Sequence, residues 1–155
     1  MKLRNDSRLK AKPVRFGDFT IAPVRAKDFH YWRSILGTSR LEFASKLVGS
    51  TAFVLMRGGE YAGLMHHSVL WDSVPMLNMV FVNGRFRNMG AGSAMVEYWE
   101  KLMRYRGYDR MTVCVPSDTR HQRFFRERGY TDCGSITFNK RGAIMPADLF
   151  LVKYI

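Results

Sequence analysis

The residues best placed to do chemistry lie in a glycine-rich turn near the middle of the chain. An apolar run at residues 76–82 is followed by Arg87, Gly90 and Gly92, and apolar side chains then recur at helical spacing. Because glycine has no Cβ, successive backbone N–H groups can point at one anion, and the helix that starts there adds the positive end of its dipole. The pattern therefore predicts a pyrophosphate cradle where a strand passes into a helix.

Two common phosphate-binding motifs do not fit this turn. A dinucleotide fingerprint requires a third glycine, but Met95 occupies the last position of the G-x-G-x-x-G spacing counted from Gly90. A Walker loop requires Gly-Lys-Ser/Thr, whereas Gly92 is followed by Ser93 and Ala94. On the residues alone, a strand-turn-helix without a ligand stays open as the alternative.

A third pattern does match. Val82, Arg87, Gly90 and Gly92 form the spacing V-x-x-x-x-R-x-x-G-x-G, which resembles the signature of the GNAT superfamily of acyl-CoA-dependent N-acetyltransferases. Residues 124–130, Phe-Phe-Arg-Glu-Arg-Gly-Tyr, are similar to the L-Y-E-K-x-G-F end of a later helix in that family. The resemblance extends from about residue 16 to the C-terminus. It implies an α+β fold: a mixed, mostly antiparallel central sheet flanked by helices, with a splayed pair of central strands that binds acetyl-CoA.

The resemblance also implies which residues bind the donor. Backbone N–H groups of the turn would hold the pyrophosphate, with a charge from Arg87 and a hydroxyl from Ser93. Pantetheine would pair with the backbone of Phe81 and Val82 in the strand before the turn, and an N–H near Val82 would polarise the thioester carbonyl. The residues expected to bind the cofactor are Phe81, Val82, Arg87, Asn88, Met89, Gly90, Ala91, Gly92, Ser93 and Phe125.

The catalytic acid and base are not evident. Many family members carry a glutamate on the strand before the turn, but residues 77–80 include no acid, and Phe125 stands where the family usually has a proton-donating tyrosine. The candidate bases are Asp72, His66 and Asp118, followed by Glu60, His67 and His121. Each has a structural alternative: a core or surface histidine, a helix cap at Asp118, a solvated loop acid at Asp72.

Asp72 follows Trp71, and an acid beside an aromatic ring could bind a cationic acceptor. Cys114 could be an acyl-accepting nucleophile, but a buried structural cysteine is favoured because nothing in the sequence lowers its pKa. His66 and His67 are adjacent on a strand, which predicts that they face opposite sides of the sheet.

The elements that would position these residues follow the order β-α-α-β-β-β-α-β-α-β-β. Ser39 and Glu42 form a capping box for the second helix, and Ser117 or Asp118 is expected to cap the last one. The predicted strands are 16–24, 51–57, 60–70, 76–82, 111–115, 135–139 and 148–154. The predicted helices are 26–36, 41–48, from 92 to about 107, and 119–128, with a turn at Arg141 and Gly142.

Composition limits the protein class. With 155 residues, of which 46% are hydrophobic, the chain suits a single domain over residues 16–155 behind a basic tail at residues 1–15. The net charge of +12 favours polyanionic ligands, including nucleic acid. We expect a cytoplasmic protein without a membrane span, because the chain lacks a signal-peptide pattern and any apolar run long enough to cross a bilayer. The two cysteines form no metal-binding array, so no metal is expected.

The sequence therefore predicts an N-acetyltransferase that moves an acetyl group from acetyl-CoA to a primary amine by direct attack in a ternary complex. The amine could belong to a small molecule, a protein or an RNA-borne group, and a homodimer is left open. The alternatives are a nucleic-acid or ribosome-associated binding module, and a CoA-binding fold of this family without catalysis.

Overall fold

The computed structural model describes residues 11–138 and 142–155. The strands are β1 Val14–Phe16, β2 Phe19–Pro23, β3 Ala52–Arg57, β4 Glu60–Leu70, β5 Val74–Val82, β6 Arg110–Pro116, β7 Thr131–Ile136 and β8 Asp148–Tyr154. The helices are α1 Phe29–Leu36, α2 Arg40–Gly49, α3 Ala91–Tyr105 and α4 His121–Arg126.

The strands form one mixed sheet in the order β1-β2-β3-β4-β5-β6-β8-β7. Within the described ranges, β5 and β6 are the parallel pair, and the other neighbours are antiparallel. This arrangement confirms the predicted α+β fold with a mostly antiparallel sheet flanked by helices.

The predicted elements are confirmed, with differences at three places. Residues 16–24 form a hairpin rather than one strand, because Gly17 adopts a positive φ of 51° that turns the chain between β1 and β2. β1 also begins at Val14, inside the segment assigned to the tail, whose first ten residues lie outside the described ranges.

The last helix and the strand after it also differ from the prediction. α4 begins at His121 with Arg120 as its N-cap, so neither Ser117 nor Asp118 caps it. Ser117 instead accepts a bond through its carbonyl from the Gln122 side chain at 2.8 Å, within a turn that shortens the helix. β7 spans Thr131–Ile136 instead of 135–139, and Arg141 of the predicted turn lies outside the described residues.

Each face of the sheet has its own hydrophobic core. α3 and α4 cover one face, where Met95, Trp99 and Met103 are fully buried as the helical spacing predicts. α1 and α2 cover the other face through Trp32 and Phe43. We call these the α3 face and the α1 face. None of the helices in the described residues is long and apolar enough to cross a membrane.

The sheet opens between β5 and β6. These strands pair at Met76–Thr112 and Leu77–Val113, and β5 then continues to Val82 without pairing to β6. The register of β4 against β5 shifts opposite Asn78, which forms a bulge next to the last pair with β6. We call the end of the sheet at Val82 and Pro116 the open end.

Candidate functional site

The edge of β5 that faces the gap carries backbone groups that do not pair with β6. The Asn83 N–H donates to the Ala62 carbonyl of β4 at 2.8 Å. Because successive residues of a strand direct their backbone groups to opposite edges, the N–H of Val82 points away from β4, as does that of Val80. The backbone of Phe81 is directed toward β4 instead. Val80 and Val82 therefore offer the strand edge to which an extended ligand can pair.

Gly63 makes this geometry possible. It lies opposite Val82 in the β4–β5 register, and a Cβ at Gly63 would collide with the carbonyl oxygen of Phe81. The end of β5 can approach β4 only because residue 63 has no side chain. Gly63 was not among the predicted site residues, although a glycine inside a strand is a recognised sign of close backbone approach.

The glycine turn lies at the open end, directly after β5. Asn88 and Gly90 have positive φ angles of 59° and 78°. The Ala94 N–H makes the first bond of α3, to the Gly90 carbonyl at 3.0 Å. The N–H groups of Ala91, Gly92 and Ser93 therefore precede the helical ladder and lie at the positive end of the α3 dipole. This geometry suits a bound anion.

Arg87 connects the turn to the strand. Its side chain is exposed, and its Nε donates to the Val82 carbonyl at 2.9 Å. The guanidinium therefore lies where β5 leaves the sheet. It can hold the end of the strand and still present its remaining N–H groups to an anion.

A second arginine reaches the turn from α4. The Arg128 guanidinium donates to the Ser93 hydroxyl and to the Phe124 carbonyl, the latter at 2.7 Å. It also lies over the Phe124 ring, 3.5 Å from the ring centroid. Arg128 is thus positioned beside the first turn of α3. The sequence signal was only an arginine-rich segment, because no local pattern links Ser93 to Arg128.

Phe125 lies in the core of the α3 face. Its ring makes edge contacts with Phe124 and Tyr130, with centroids 5.1 and 5.4 Å apart. Tyr130 cannot replace the missing tyrosine: its hydroxyl donates to Glu100 at 2.9 Å, and burial, followed by the Glu100 charge, raises its pKa. Neither ring supplies a proton donor at the gap.

His66 and His67 face opposite sides of the sheet, as predicted. The His66 ring lies 5.7 Å from Trp32 on the α1 face, and His66 pairs with Met79 beside the bulge in β5. Burial, together with the charge of Lys46, lowers the pKa of His66 to about 4. His66 is therefore neutral at pH 7, and its Nδ1 has no hydrogen-bond partner among the described residues.

His67 is enclosed on the α3 face. It lies between Phe53 and Trp99, and its Nε2 is 3.5 Å from an Arg106 nitrogen. Burial and the Arg106 charge lower the pKa of His67 to about 3. With 2% of its surface exposed, His67 cannot reach a substrate.

The other candidate acids and bases lie at different places. Asp72 is exposed in the β4–β5 turn, at the opposite end of β5 from the glycine turn. β5 has nine residues, so its two ends lie about 30 Å apart. The structure therefore does not bring Asp72 together with the glycine turn. Asp118 is exposed in the turn after β6, at the open end, and His121 is exposed at the start of α4.

Glu60 and Cys114 have evident local roles. The Glu60 carboxylate accepts a hydrogen bond from Arg85 at the β3–β4 turn. Cys114 is half-buried on β6, and burial, with the charge of Asp148, raises the pKa of its thiol. A raised pKa disfavours the thiolate that a nucleophilic role would require. In the described part of the chain, no group of His, Cys, Asp and Glu side chains could hold a metal ion.

A polar network on the α1 face was not anticipated. The Tyr31 hydroxyl donates to the Asn83 side chain at 3.0 Å, and that side chain donates to the Tyr61 carbonyl at 2.7 Å. The rings of Tyr31 and Tyr61 stack at 4.4 Å, and the Tyr61 hydroxyl donates to the buried Asp28 at 2.6 Å. The network ties α1 to the residue that follows β5. Its partners are as many as 52 residues apart, so no local pattern reveals it.

Comparison with known proteins agrees with this geometry. The family model "Acetyltransferase (GNAT) family" matches residues 18–130, and the chain belongs to this family. No curated protein sequence matches the chain.

Several solved structures share the fold. Ard1 from Thermoplasma volcanium aligns with a TM-score of 0.74 at 18% identity, covering 89% of this chain and 98% of that one. The ribosomal-protein-S18-alanine N-acetyltransferase from Escherichia coli aligns with a TM-score of 0.74 at 17% identity, covering 88% and 94%. Arabidopsis thaliana Naa50, in complex with the bisubstrate analogue CoA-Ac-MVNAL, aligns with a TM-score of 0.72 at 11% identity, covering 89% and 99%.

Proposed function

We propose that the protein is an N-acetyltransferase that transfers the acetyl group of acetyl-CoA to a primary amine by direct attack in a ternary complex. The observation that carries this proposal is the gap between β5 and β6, with the glycine turn at its open end. A strand edge and a cluster of helix N–H groups are thereby aligned along one path, which suits a long ligand with an amide-containing arm and a pyrophosphate.

The two parts of this path, the glycine turn and the edge of β5, bind different parts of acetyl-CoA. The N–H groups from Asn88 to Ser93 hold the pyrophosphate, and Arg87 adds a positive charge. Pantetheine pairs with the gap edge of β5 through Val80 and Val82, while the side chain of Phe81 lies on the α1 face. Phe125 supports the donor side from the core of the α3 face rather than through a polar contact.

The transfer step needs an uncharged amine, an oxyanion donor and a leaving thiolate. The Val82 N–H stabilises the negative oxygen that forms when the amine attacks the thioester carbonyl. The attacking nitrogen gives up a proton to water, the C–S bond breaks, and the sulfur leaves as a thiolate. A thiol with a pKa of about 8.5 is an adequate leaving group, so water can supply the proton that Phe125 cannot.

His66 is the candidate side chain for handling the amine. A pKa of about 4 makes it a weak base, so it would not hold the proton of an alkylammonium group. It can instead accept a hydrogen bond from an amine that has already lost its proton to water. This role favours the neutral form of the acceptor and orients it at the gap.

The acceptor is proposed as a primary amine without further restriction. Of the structurally similar proteins, Naa50 was solved with the bisubstrate analogue CoA-Ac-MVNAL, and the Escherichia coli enzyme is a ribosomal-protein-S18-alanine N-acetyltransferase. Peptide α-amines therefore belong in the first set of acceptors to test, beside polyamines and amino acids.

Calorimetric titration with acetyl-CoA, followed by a thiol-release assay across these amines, tests the proposal. We expect acetyl-CoA binding and amine-dependent release of free CoA. Binding without turnover on any amine would favour a CoA-binding fold without catalysis. An acetylated enzyme detected by mass spectrometry during turnover would contradict direct attack.

A further inference from the structure

A groove separate from the β5–β6 gap runs between β1 and α3. Its volume is about 470 Å³, and its walls are formed by residues 11–16 and by the side of α3 from Ala94 to Tyr105. The eleven steps of 1.5 Å from Ala94 to Tyr105 correspond to about 16 Å of helix, so the groove is extended rather than round.

Aromatic rings line this groove. Phe16 is 42% exposed and Tyr105 is 65% exposed, both unusually high for such side chains. Tyr98 also lines the groove: its ring packs edge-on against Phe53 at 5.4 Å, and its hydroxyl donates to the Lys12 carbonyl at 3.1 Å. These contacts hold Tyr98 in place while its neighbours remain accessible.

Positive charge surrounds the rings. Lys12, Arg15 and Lys101 line the groove, and the carboxylate among its lining residues, Glu97, is already paired with Lys101 at 2.6 Å. The groove therefore has a positive balance of its own within a chain of net charge +12.

We propose that this groove binds single-stranded nucleic acid. Accessible aromatic rings beside cations are the combination that binds single strands, because bases stack on the rings while phosphates contact the cations. Repulsion between like charges argues against two other occupants, the N-terminal residues of the same chain and a second copy of the chain. The chain's own residues 1–10 would bring further cations into a basic groove, and two copies of a chain with a net charge of +12 repel each other.

Fluorescence anisotropy with a labelled RNA of about 12 nucleotides tests this proposal, with a DNA strand of the same sequence beside it. The full chain is titrated in saturating CoA, so that the anion site at the glycine turn is already occupied. The groove variant combines Arg15→Glu with Lys101→Glu, and the control combines Lys27→Glu with Arg33→Glu on the α1 face. Each pair lowers the formal net charge from +12 to +8, because each substitution changes the charge by two.

The groove variant should weaken binding by at least about ten-fold and lower the salt slope by about 1.4, whereas the control should stay within about two-fold of the unchanged protein. Tyr105→Ala, which keeps the charge, should weaken binding by about five-fold or more. Equal losses in the groove and control variants would assign the affinity to diffuse charge and overturn the proposal.

Two other results would also overturn it. One is absence of binding to either strand at about 100 mM salt. The other is a concentration-dependent dimer that dissociates on Tyr105→Ala, which would assign the groove to a second copy of the chain.

Discussion

His66 and His67 are adjacent in β4, yet they lie in different environments on opposite faces of the sheet. His67 is enclosed by Phe53, Trp99 and Arg106 in the core that supports the glycine turn. His66 lies on the α1 face beside the bulge where the sheet opens. The α3 face therefore supports a site made largely of backbone groups, whereas the α1 face supplies the polar side chains that could handle an acceptor.

The largest expected effect is a loss of stability at low pH, to which both histidines contribute. Each has a lowered pKa in the folded protein, about 4 for His66 and about 3 for His67, against 6.5 as the ordinary value. As the pH falls below 6.5, the unfolded chain binds protons that the folded protein does not, so stability is lost on acidification. Between pH 6.5 and about 4, each histidine should lower the free energy of unfolding by about 1.4 kcal/mol for each pH unit of acidification.

Urea unfolding across this pH window measures the effect. His67→Gln should remove about half of the slope that the two histidines produce. If His67→Gln had the same slope as the unchanged protein, the placement of His67 in an enclosed environment would be contradicted.

Gly63→Ala should have the next largest effect on stability. The new Cβ would collide with the Phe81 carbonyl oxygen, so β5 must move away from β4. We expect a loss of about 3 kcal/mol in the free energy of unfolding, together with weaker acetyl-CoA binding.

Gly84→Ala is the control, because a Cβ at Gly84 meets no atom within 4 Å. Chemical denaturation of the two variants provides the comparison. Equal stabilities would show that the close approach of β5 to β4 does not depend on Gly63.

Replacing each of the two stacked tyrosines of the α1 face should lower the free energy of unfolding by a different amount. Tyr61→Phe removes a hydrogen bond to the buried carboxylate of Asp28, which should cost about 2 kcal/mol. Tyr31→Phe removes a bond to the neutral Asn83 side chain, which should cost about 1 kcal/mol. Thermal unfolding of both variants tests the order, and a reversed order would contradict the network.

His66→Phe should have the smallest effect on stability at pH 7 and a selective effect on activity. Phenylalanine can still pack on the α1 face, but its side chain has no atom that would accept a hydrogen bond from the amine. We expect kcat to fall several-fold while the acetyl-CoA affinity stays unchanged, measured by thiol release and calorimetry. Unchanged kcat with the best acceptor would remove His66 from the mechanism.

Local signals explain which parts of the fold could be predicted. The bounds of β4 and β8 agree with the sequence because apolar patterning defines both strands, and Gly58 and Gly59 directly precede the start of β4. The capping box of α2 is confirmed, since the Ser39 and Glu42 side chains bond to each other's backbone N–H. The glycine turn was recognisable because its residues are close together along the chain.

Long-range contacts could not be predicted. Arg128 reaches Ser93 across 35 residues, and Tyr31 reaches Asn83 across 52. The predicted start of α4 was wrong. Ser117 is a residue type that often caps helices, but here its carbonyl accepts a hydrogen bond from Gln122 in the turn after β6. The donor-side residues are thus local in sequence, while the acceptor-side residues are brought together only by the tertiary structure.

Binding of acetyl-CoA to Gly92→Val tests the central claim most directly. A Cβ at Gly92 meets no atom of the described protein within 4 Å, so this variant should fold as well as its control, Gly84→Val, at a second site with the same free space. The added side chain would fill the space in which the N–H groups of the turn face the pyrophosphate. Calorimetry should show at least about ten-fold weaker acetyl-CoA binding for Gly92→Val and unchanged binding for the control. Unchanged affinity in a folded Gly92→Val protein would contradict the assignment of the glycine turn as the donor site.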